Sequence, residues 1–453
     1  MKPLAVILIL LVAIVAGWAV ATWDSSPPEV VWIDPPGTVG PKTEIHVEAR
    51  DQGRGLKSLR LLFRQQGREL VVHEESFDEA GFLWTDGTLE RRIAVRLSDT
   101  APREDLKEGP FTLEMQVQDH ASMGLWSRET VEKGTFRLDR TPPRIEVLSN
   151  QHYIRQGGSA AVRYRVSEPV DSSGIQVGDR IYAGYPVPSQ EERVYVCLFA
   201  LGHDQNRKTP MTVWAQDPAG NRGRENFWKK VFPGRFRKRN INISDRFMER
   251  VLPSIVQRSE HVRGTSDLLE TFLEVNGPLR RVNNRQIAEM ASRTASAPLW
   301  TEEFLQLSNS QVESSFADFR TYFYQGKKID EQTHLGFDLA SLAQAPVECS
   351  NDGVVIFADY LGIYGNTVVV DHGLGLQSLY AHLSRFDVEV GDEVRKGQSL
   401  GRTGQTGLAG GDHLHFTMLL HGTQVNPIEW WDPAWVRKRV LSRLETRLAE
   451  NRN

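Results

Sequence analysis

Two short motifs in the last third of the chain carry side chains that can bind a metal ion. His334 and Asp338 are four residues apart, and His413 and His415 are two residues apart. Each motif alone is common by chance. However, six of the twelve histidines fall between His334 and His421, and such clustering favours a metal site.

The residues around the second motif indicate how its histidines are oriented. Residues 411–419 read as a β-strand, and side chains two apart on a strand share a face. We therefore expect His413 and His415 to point the same way, while Leu414 and Phe416 enter the opposite layer. Burying both imidazoles as core filler would leave polar nitrogens without partners. One histidine can bind a metal while the other stands beside the water that the metal activates; the alternative is an exposed polar face.

The donor chemistry of these motifs fits zinc. Two imidazoles and one carboxylate are the nitrogen and oxygen donors of catalytic zinc sites, and three protein ligands leave a fourth position for water. The HExxH helix of common metallopeptidases is absent, so other catalytic groups must come from elsewhere. The two cysteines, Cys197 and Cys349, are far apart and form no CxxC pair. A cysteine zinc site and a disulfide scaffold are therefore excluded, and we expect two separate thiols.

Between residues 315 and 432, glycine turns separate short strand-like segments that carry the histidines. These segments are THLGFD at 333–338, YGNTVVVDHG at 364–373, LYAHLS at 379–384, VGDEVRKGQ at 390–398, TGQTG at 403–407, HLHF at 413–416 and VNP at 425–427. Their order, spacing and glycines resemble the lysostaphin-type, LytM-like zinc endopeptidases. Members of that family cut peptide cross-links of peptidoglycan in a groove on an antiparallel sheet.

The resemblance assigns a role to five side chains by matching position. His334, Asp338 and His415 would be the Zn²⁺ ligands, and His382 and His413 would be the two catalytic histidines. Zinc would activate a water molecule, and the two histidines would move protons and stabilise the oxyanion. The division of labour between His382 and His413 stays open.

Two departures from the family pattern concern the surroundings of this site. Thr417 stands where the family often has an acidic residue, and its side chain shares the face of His415. The stretch 316–330, which contains Tyr322, Phe323 and Tyr324 in a row, is also atypical. The first departure affects none of the five residues with an assigned role. Because of the second, the sequence does not show which residues form the wall of the substrate cleft.

The N-terminus contains an apolar run. Residues 4–21 carry no charged side chain, and eighteen helical residues span about 27 Å, close to the hydrocarbon core of a bilayer. We therefore expect residues 1–23 to be a single-pass anchor in the cell inner membrane. A signal peptide cleaved after Ala19-Val20-Ala21 is the alternative. Either way, the catalytic domain would face the periplasm or the cell exterior.

Short alternating segments predict a mostly β multidomain protein. It would contain tandem β-sandwiches, a short helical region and a C-terminal antiparallel β-sheet peptidase domain. Repeated Pro-Pro openings and Asp-containing turns suggest that the sandwiches are immunoglobulin-like modules. The predicted divisions after the anchor are sandwiches at 24–140 and 141–240, a helical linker at 241–298, the zinc peptidase domain at 299–433 and a C-terminal helix at 434–453.

The helical linker has its own signals. Asp267 with Glu270 forms a capping pair, and Gly277-Pro278 predicts that the helix stops there. A wall hydrolase that is always open would endanger its own cell. One hypothesis is that residues 241–298 pack beside or over the groove and move when a regulatory protein or the wall engages the sandwiches. The other is a passive helical connector.

The predicted function is therefore that of a zinc metalloendopeptidase acting as a peptidoglycan hydrolase. One alternative is a catalytically inactive wall-binding activator of other hydrolases, which would typically lack some of the five site residues. Another is a lipoyl-type carrier module, suggested by the hairpin-like segment 391–398. The net charge of only −4 gives no indication of nucleic-acid binding.

Overall fold

A computed structural model describes residues 2–21, 26–53, 55–78, 87–100, 102, 105–120, 127–187 and 192–444 of the chain. Its first element is helix α1 (Lys2–Ala21). Among the helices in these ranges, none is both long enough and apolar enough to cross a membrane. The membrane anchor that we expect at residues 1–23 stays a prediction.

The chain divides into two compact units. Met1–Pro143 and Gln216–Arg222 form the first unit, and Arg144–Ala215 and Gly223–Asn453 form the second. The protein is mostly β, with many sheets and few helices, as the alternating sequence pattern predicts. The finer domain boundaries that we expect from the sequence stay predictions.

The first unit is a sandwich of two sheets. Its elements are β1 (Glu29–Ile33), β2 (Thr38–Val39), β3 (Ile45–Arg50), β4 (Leu56–Gln65), β5 (Arg68–Ser76), β6 (Glu90–Val95), α2 (Leu97–Thr100), β7 (Gly109–Asp119) and β8 (Glu129–Leu138). One sheet has the order β1-β3-β6 and the other has the order β2-β8-β7-β4-β5. Alternate side chains from both sheets, such as Val47, Leu61 and Leu113, share one buried core.

The second unit begins with another pair of sheets. Its strands are β9 (Ile145–Val147), β10 (His152–Arg155), β11 (Ser159–Val166), β12 (Ser172–Val177), β13 (Arg180–Ala183), β14 (Tyr185–Pro186), β15 (Val194–Ala200), β16 (Met211–Gln216), β17 (Arg222–Glu225) and β18 (Lys229–Phe232). The sheets β14-β15-β11-β9 and β13-β12-β16-β17 enclose a common core, and β10 pairs with β18. Cys197 and Cys349 are both buried free thiols.

A larger antiparallel sheet follows. The strands are β19 (Lys238–Ile243), β20 (Gln311–Ser314), β21 (Asp318–Tyr324), β22 (Lys327–His334), β23 (Phe337–Ala340), β24 (Pro346–Glu348), β25 (Gly353–Tyr360), β26 (Asn366–Gly373), β27 (Leu376–Leu383), β28 (Arg385–Phe386), β29 (Glu393–Val394), β30 (Ser399–Arg402), β31 (Leu414–Leu420) and β32 (Thr423–Val425). The main sheet has the order β20-β23-β31-β27-β26-β25-β29, with β32 on β31. Smaller sheets are β19-β21-β22 and β24-β30-β28.

The helices of the second unit lie before and after this sheet. They are α3 (Asp245–Arg258), α4 (Leu268–Glu274), α5 (Arg280–Glu289), α6 (Ile428–Trp431), α7 (Pro433–Trp435) and α8 (Ser442–Leu444), with π-helical turns at Val275–Leu279 and Val436–Leu441. The C-terminal helix predicted for 434–453 is thus helical as far as Leu444. The rest of that prediction, residues 445–453, lies outside the described residues.

The helical region corrects one prediction. Asp267 caps α4 as expected, accepting hydrogen bonds from the backbone N–H groups of Leu269 and Glu270. The predicted stop at Gly277-Pro278 is wrong, because a π-helical turn carries the chain from α4 into α5. Such a turn tolerates Pro278 because the wider i→i+5 pattern redistributes the backbone hydrogen bonds around it.

The main sheet is covered on both faces. Leu414, Phe416 and Met418 belong to the core that contains the preceding sandwich. The opposite face supplies Leu379 and Leu419 to a second core, which it shares with the apolar sides of α3, α4 and α5. Residues 241–292 are therefore packed against the main sheet.

Candidate functional site

Asp338 and His415 are direct neighbours across two strands. Asp338 on β23 pairs with His415 on β31 in the antiparallel register, so their side chains share a face. His415 Nδ1 lies 3.1 Å from Asp338 Oδ1. Leu414 and Phe416 point into the other core, which is the alternation that the sequence predicts.

His334 joins this pair from the end of β22. Its Nδ1 lies 3.2 Å from the carbonyl oxygen of Ser315. A carbonyl only accepts, so Nδ1 carries the proton and Nε2 presents a lone pair. That Nε2 lies 2.9 Å from Asp338 Oδ1 and 3.0 Å from His415 Nδ1.

These three side chains form a candidate metal centre. All are buried, and their donor atoms lie within 4.8 Å of one another. Ligand atoms on a tetrahedral zinc ion with bonds of about 2.0–2.1 Å are roughly 3.3–3.4 Å apart. The observed separations of 2.9–3.1 Å therefore need only a small outward movement to admit the ion. Two nitrogens and one carboxylate oxygen, with His334 already in the ligating tautomer, fit zinc.

Gly336 allows the first motif to approach the second. It lies in the turn between β22 and β23, and a Cβ atom at this position would lie 2.5 Å from His415 Nε2 and 2.8 Å from the carbonyl oxygen of Phe416. Only a residue without a side chain fits here without moving the ligand. The turn residue is therefore part of the packing that positions His415.

His382 reaches the site through an irregularity in β27. The pairing of β27 with β26 shifts between Tyr380 and Leu383, and His382 has a φ of 62°, in the left-handed region that non-glycine residues seldom occupy. A bulge of this kind redirects a side chain that regular alternation would send to the opposite face. His382 Nδ1 donates to the carbonyl oxygen of Thr406 at 2.8 Å, which leaves Nε2 for proton exchange.

His413 lies just before β31, on the same side as His415. Its Nδ1 donates to the carbonyl oxygen of Gly411 at 2.8 Å, and its Nε2 lies 3.5 Å from Asp338 Oδ1. The rings of His382 and His413 have centroids 4.8 Å apart. All five residues singled out from the sequence thus line one cavity.

Arg320 is a site residue that our sequence reasoning missed. Its Nη2 donates to Asp338 Oδ2 at 2.7 Å, and the side chain is only 18% exposed. It lies on β21, within the stretch 316–330 whose role we left open. A lone arginine in an atypical stretch carries no spacing signal, so the sequence offered no means of selecting it.

Electrostatics prepares the centre for a cation. Burial by itself raises the pKa of Asp338, but His334, His413 and His415 outweigh it and hold that pKa well below its usual range. Burial lowers the pKa of His415 to about 4. The cluster thus favours an ionised carboxylate and a neutral imidazole, which are the protonation states that metal ligands require.

The two non-ligand histidines differ in their surroundings. Burial lowers the pKa of His382 well below its ordinary value, and the nearby His413 and His415 add to the effect. Burial also opposes the charged form of His413, but the hydrogen bond and charge of Asp338 outweigh it and raise that pKa. Two imidazoles side by side therefore have opposite tendencies to hold a proton.

The cavity measures about 290 Å³ and has mixed walls. One side carries the five site residues, and the other is formed by β19 and the helical region through Phe247, Phe272 and Arg280. Tyr322, from the atypical stretch, is 6% exposed and packs with its ring centroid 5.9 Å from that of Phe272. The helical region and the atypical stretch together build the wall that the sequence left undefined.

Comparison with protein families gives a match at the site. Residues 332–427 match Peptidase family M23, a range that includes all five site residues. Among solved structures, the catalytic domain of lysostaphin from Staphylococcus simulans is 26% identical and covers 29% of this chain and 98% of its own, with a TM-score of 0.25.

Curated relatives align over the same region. DD-carboxypeptidase/endopeptidase Mpg of Neisseria meningitidis is 43% identical over 95 residues, and peptidoglycan DD-endopeptidase ShyA of Vibrio cholerae is 38% identical over 96. Each match covers 21% of this chain and 22% of the relative. Murein hydrolase activator EnvC of Escherichia coli is 43% identical over 84 residues, or 18% of this chain and 20% of the relative. The chain thus matches about a fifth of the length of each of these relatives. The C-terminal part of this chain, residues 332–427, is thus similar to peptidase family M23.

Proposed function

We propose that this protein is a zinc-dependent endopeptidase that hydrolyses peptide cross-links of bacterial peptidoglycan. The observation that carries the proposal is the convergence of His334, Asp338 and His415 beside two further histidines, His382 and His413, in one cavity. Three ligands with a free fourth position favour a catalytic centre over a structural one.

The substrate class is supported by the relatives. Mpg and ShyA bear names that describe endopeptidases, and ShyA is named for action on peptidoglycan. The similarity covers the region that holds the candidate centre and only about a fifth of each relative. We therefore propose for this chain only the reaction class, endopeptide hydrolysis, and the polymer, peptidoglycan. Which cross-link is cut must be determined by experiment.

The chemistry divides between the metal and the protein. A zinc ion bound there would lower the pKa of water from 15.7 to about 7 and polarise the scissile carbonyl. His334, Asp338 and His415 would hold the ion, and Arg320 would fix the rotation of the Asp338 carboxylate. His382 and His413 would accept the proton of the attacking water, donate one to the leaving amine and stabilise the oxyanion.

A second function has one specific observation in its favour. This chain is also similar to EnvC, which is named a hydrolase activator. That similarity favours a second function, in which a catalytically inactive protein binds the wall and activates other hydrolases. Such a protein has no need of a complete set of ligands and catalytic histidines. Because this chain has all five residues in one cavity, the enzyme is the better supported function.

Digestion of purified sacculi tests the proposal. The zinc-loaded full chain should release soluble fragments whose masses identify cleaved peptide cross-links, and chelation should stop the release. An inactive activator would bind the sacculi and release nothing at any metal concentration. The variant with both His382 and His413 replaced by alanine is the control for a contaminating hydrolase.

The substrate also implies a location. We propose that the catalytic domain faces the periplasm or the cell exterior, because peptidoglycan lies outside the cytoplasmic membrane. Protease added to spheroplasts should then digest the catalytic domain while cytoplasmic marker proteins stay intact. Protection of the domain until the cells are lysed would contradict this location.

A further inference from the structure

Arg280 brings a second arginine into the wall of the candidate active-site cavity. Its side chain lines the same cavity as His334, His382 and His413. Arg320, also in this wall, is neutralised by Asp338. Within the part of the chain that the structure describes, no carboxylate oxygen lies within 4 Å of the Arg280 guanidinium. The cavity therefore contains a cation without an acidic partner.

The π-helical turn that overrides the predicted helix stop also positions this arginine. In this turn the backbone N–H of Arg280 is shared between the carbonyl oxygens of Val275 and Gly277. The side chain of Arg280 folds back on the same turn, and its Nε donates to the carbonyl oxygen of Asn276 at 3.0 Å. Arg280 Nη2 also donates to Asn276 Oδ1 at 2.6 Å. Two hydrogen bonds to one residue fix the guanidinium before any ligand arrives.

Asn276 is itself held rigidly. It is fully buried, and its Nδ2 donates to Asp330 Oδ2 at 2.7 Å. Asp330 lies on β22, the strand that ends at the candidate ligand His334. Hydrogen bonds through Asn276 thus connect Arg280 to β22, the strand that carries His334. Polar groups preorganised in this way bind a charged ligand with little reorganisation.

We propose that Arg280 is a specificity residue that binds a free carboxylate of the peptide substrate beside the scissile bond. The inference rests on the proposed peptidase function and specifies that the peptide substrate carries a negative charge next to the scissile bond. Nη1 of Arg280 has no hydrogen-bond partner among the described residues, so it can donate to a carboxylate of the substrate. Guanidinium groups suit planar carboxylates, and such charge-assisted hydrogen bonds are stronger than neutral ones.

A matched pair of peptides tests this assignment. Two soluble cross-link peptides of the same sequence would differ only in a free carboxylate or a carboxamide at the residue next to the scissile bond. In the zinc-loaded full chain, Arg280→Gln should lower kcat/KM about 10- to 100-fold for the carboxylate peptide, mainly through KM. It should change kcat/KM less than about threefold for the carboxamide peptide, and Arg280→Lys should recover part of the loss.

The neighbouring Arg281 provides a matched control. It lies one residue further along the same helix, is exposed and does not line the cavity, so Arg281→Gln should discriminate between the peptides as the parent does. Equal losses on both peptides for Arg280→Gln, or no loss on either, would overturn the assignment. Equal metal content and an unchanged melting temperature would show that the variant is folded.

A binding measurement separates this inference from the peptidase proposal. Calorimetry with the uncleaved carboxylate peptide would compare full chains carrying His382→Ala alone and together with Arg280→Gln. Weaker binding by about tenfold or more in the double variant supports carboxylate recognition even when no variant cleaves either peptide. Unchanged affinity would contradict carboxylate recognition, whereas the absence of cleavage by the parent chain counts only against the peptidase proposal.

Discussion

Arg320 Nη2 holds Asp338 Oδ2 at 2.7 Å, and the other oxygen of that carboxylate faces both His334 and His415. The ion pair thereby fixes which oxygen points into the candidate metal centre. Because the arginine is 18% exposed and the aspartate 12% exposed, little water competes for either group. The pair positions a ligand and belongs to the site as much as the ligand does.

Replacing Arg320 with glutamine should weaken metal binding. The side chain would no longer fix the Asp338 carboxylate, and changes to such supporting partners typically cost 10–100-fold in metal affinity. Competition with a chromophoric chelator measures that affinity directly. Arg237→Gln, which breaks the ion pair with the buried Asp318 on the same strand as Arg320, is the control for losing a comparable salt bridge. Equal affinity in the Arg320 variant and the parent would contradict this role.

Asp338→Ala should remove most of the bound zinc. The substitution deletes the negatively charged ligand and leaves the buried His334 and His415 to hold a dication alone. Metal analysis after dialysis against a fixed free zinc concentration gives the occupancy. A variant that keeps the parent's zinc content would show that Asp338 is not a ligand.

His382→Ala and His413→Ala should keep the metal and lose turnover. Neither ring belongs to the cluster of three donors, whereas groups that transfer protons typically contribute about 10²–10⁴-fold to the rate. Steady-state kinetics on a soluble cross-link peptide, with zinc content measured on the same samples, is the test. If both variants turn over as the parent does, the catalytic pair lies elsewhere.

Gly336→Ala should lower zinc affinity although no ligand changes. The added methyl group would meet His415 Nε2 at 2.5 Å and the backbone of Phe416 at 2.8 Å, so the imidazole or β31 must move. Gly37→Ala is the control, because a Cβ atom there has no neighbouring atom within 4 Å. Zinc titration of both variants measures the effect, and an affinity equal to that of the parent would mean that the turn relaxes without disturbing the ligand.

Some parts of the site follow directly from the sequence. The spacing of His413 and His415 predicts that they share a face, because a regular strand alternates its side chains with period two. The same rule misdirects His382. His382 lies two residues after Tyr380, whose side chain enters the core on the sandwich side of the sheet, so regular alternation would place His382 on that side too. Only the bulge, where His382 has a φ of 62°, turns its side chain to the cavity. A one-residue irregularity of pairing leaves no mark in composition or hydrophobic period.

The helical region shows a different limit. Gly277-Pro278 is a sound stop signal by local propensity, yet packing of the flanking helices on the main sheet carries the chain through it as a π-helical turn. Tertiary contacts here outweigh local preference. The hypothesis that this region moves to open the groove stays a prediction. Its buried apolar face shows that removing the region would expose the core that it shares with the sheet, so deletion is a poor test of movement.

A buried carboxyl group outside the site predicts how stability depends on pH. Glu429, at the start of the C-terminal helical region, accepts a hydrogen bond from the backbone N–H of Ser159 at 2.7 Å. Burial raises the pKa of Glu429 from its ordinary value of 4.5 to about 7. Between these two pH values the unfolded chain releases the proton and the folded chain keeps it. The folded state then binds more protons, so this group's contribution to stability falls as pH rises.

The contribution is complete below pH 4.5 and is lost as pH passes through about 7. For this one group the slope is at most roughly 1.4 kcal/mol per pH unit. Glu429→Gln keeps an oxygen that can accept from Ser159 but has no proton to release. Urea unfolding of both proteins at a series of pH values should therefore show a stability advantage of the variant that grows from pH 5 to 7 and then levels off. A difference between the two proteins that does not change with pH would show that Glu429 titrates normally in the folded chain.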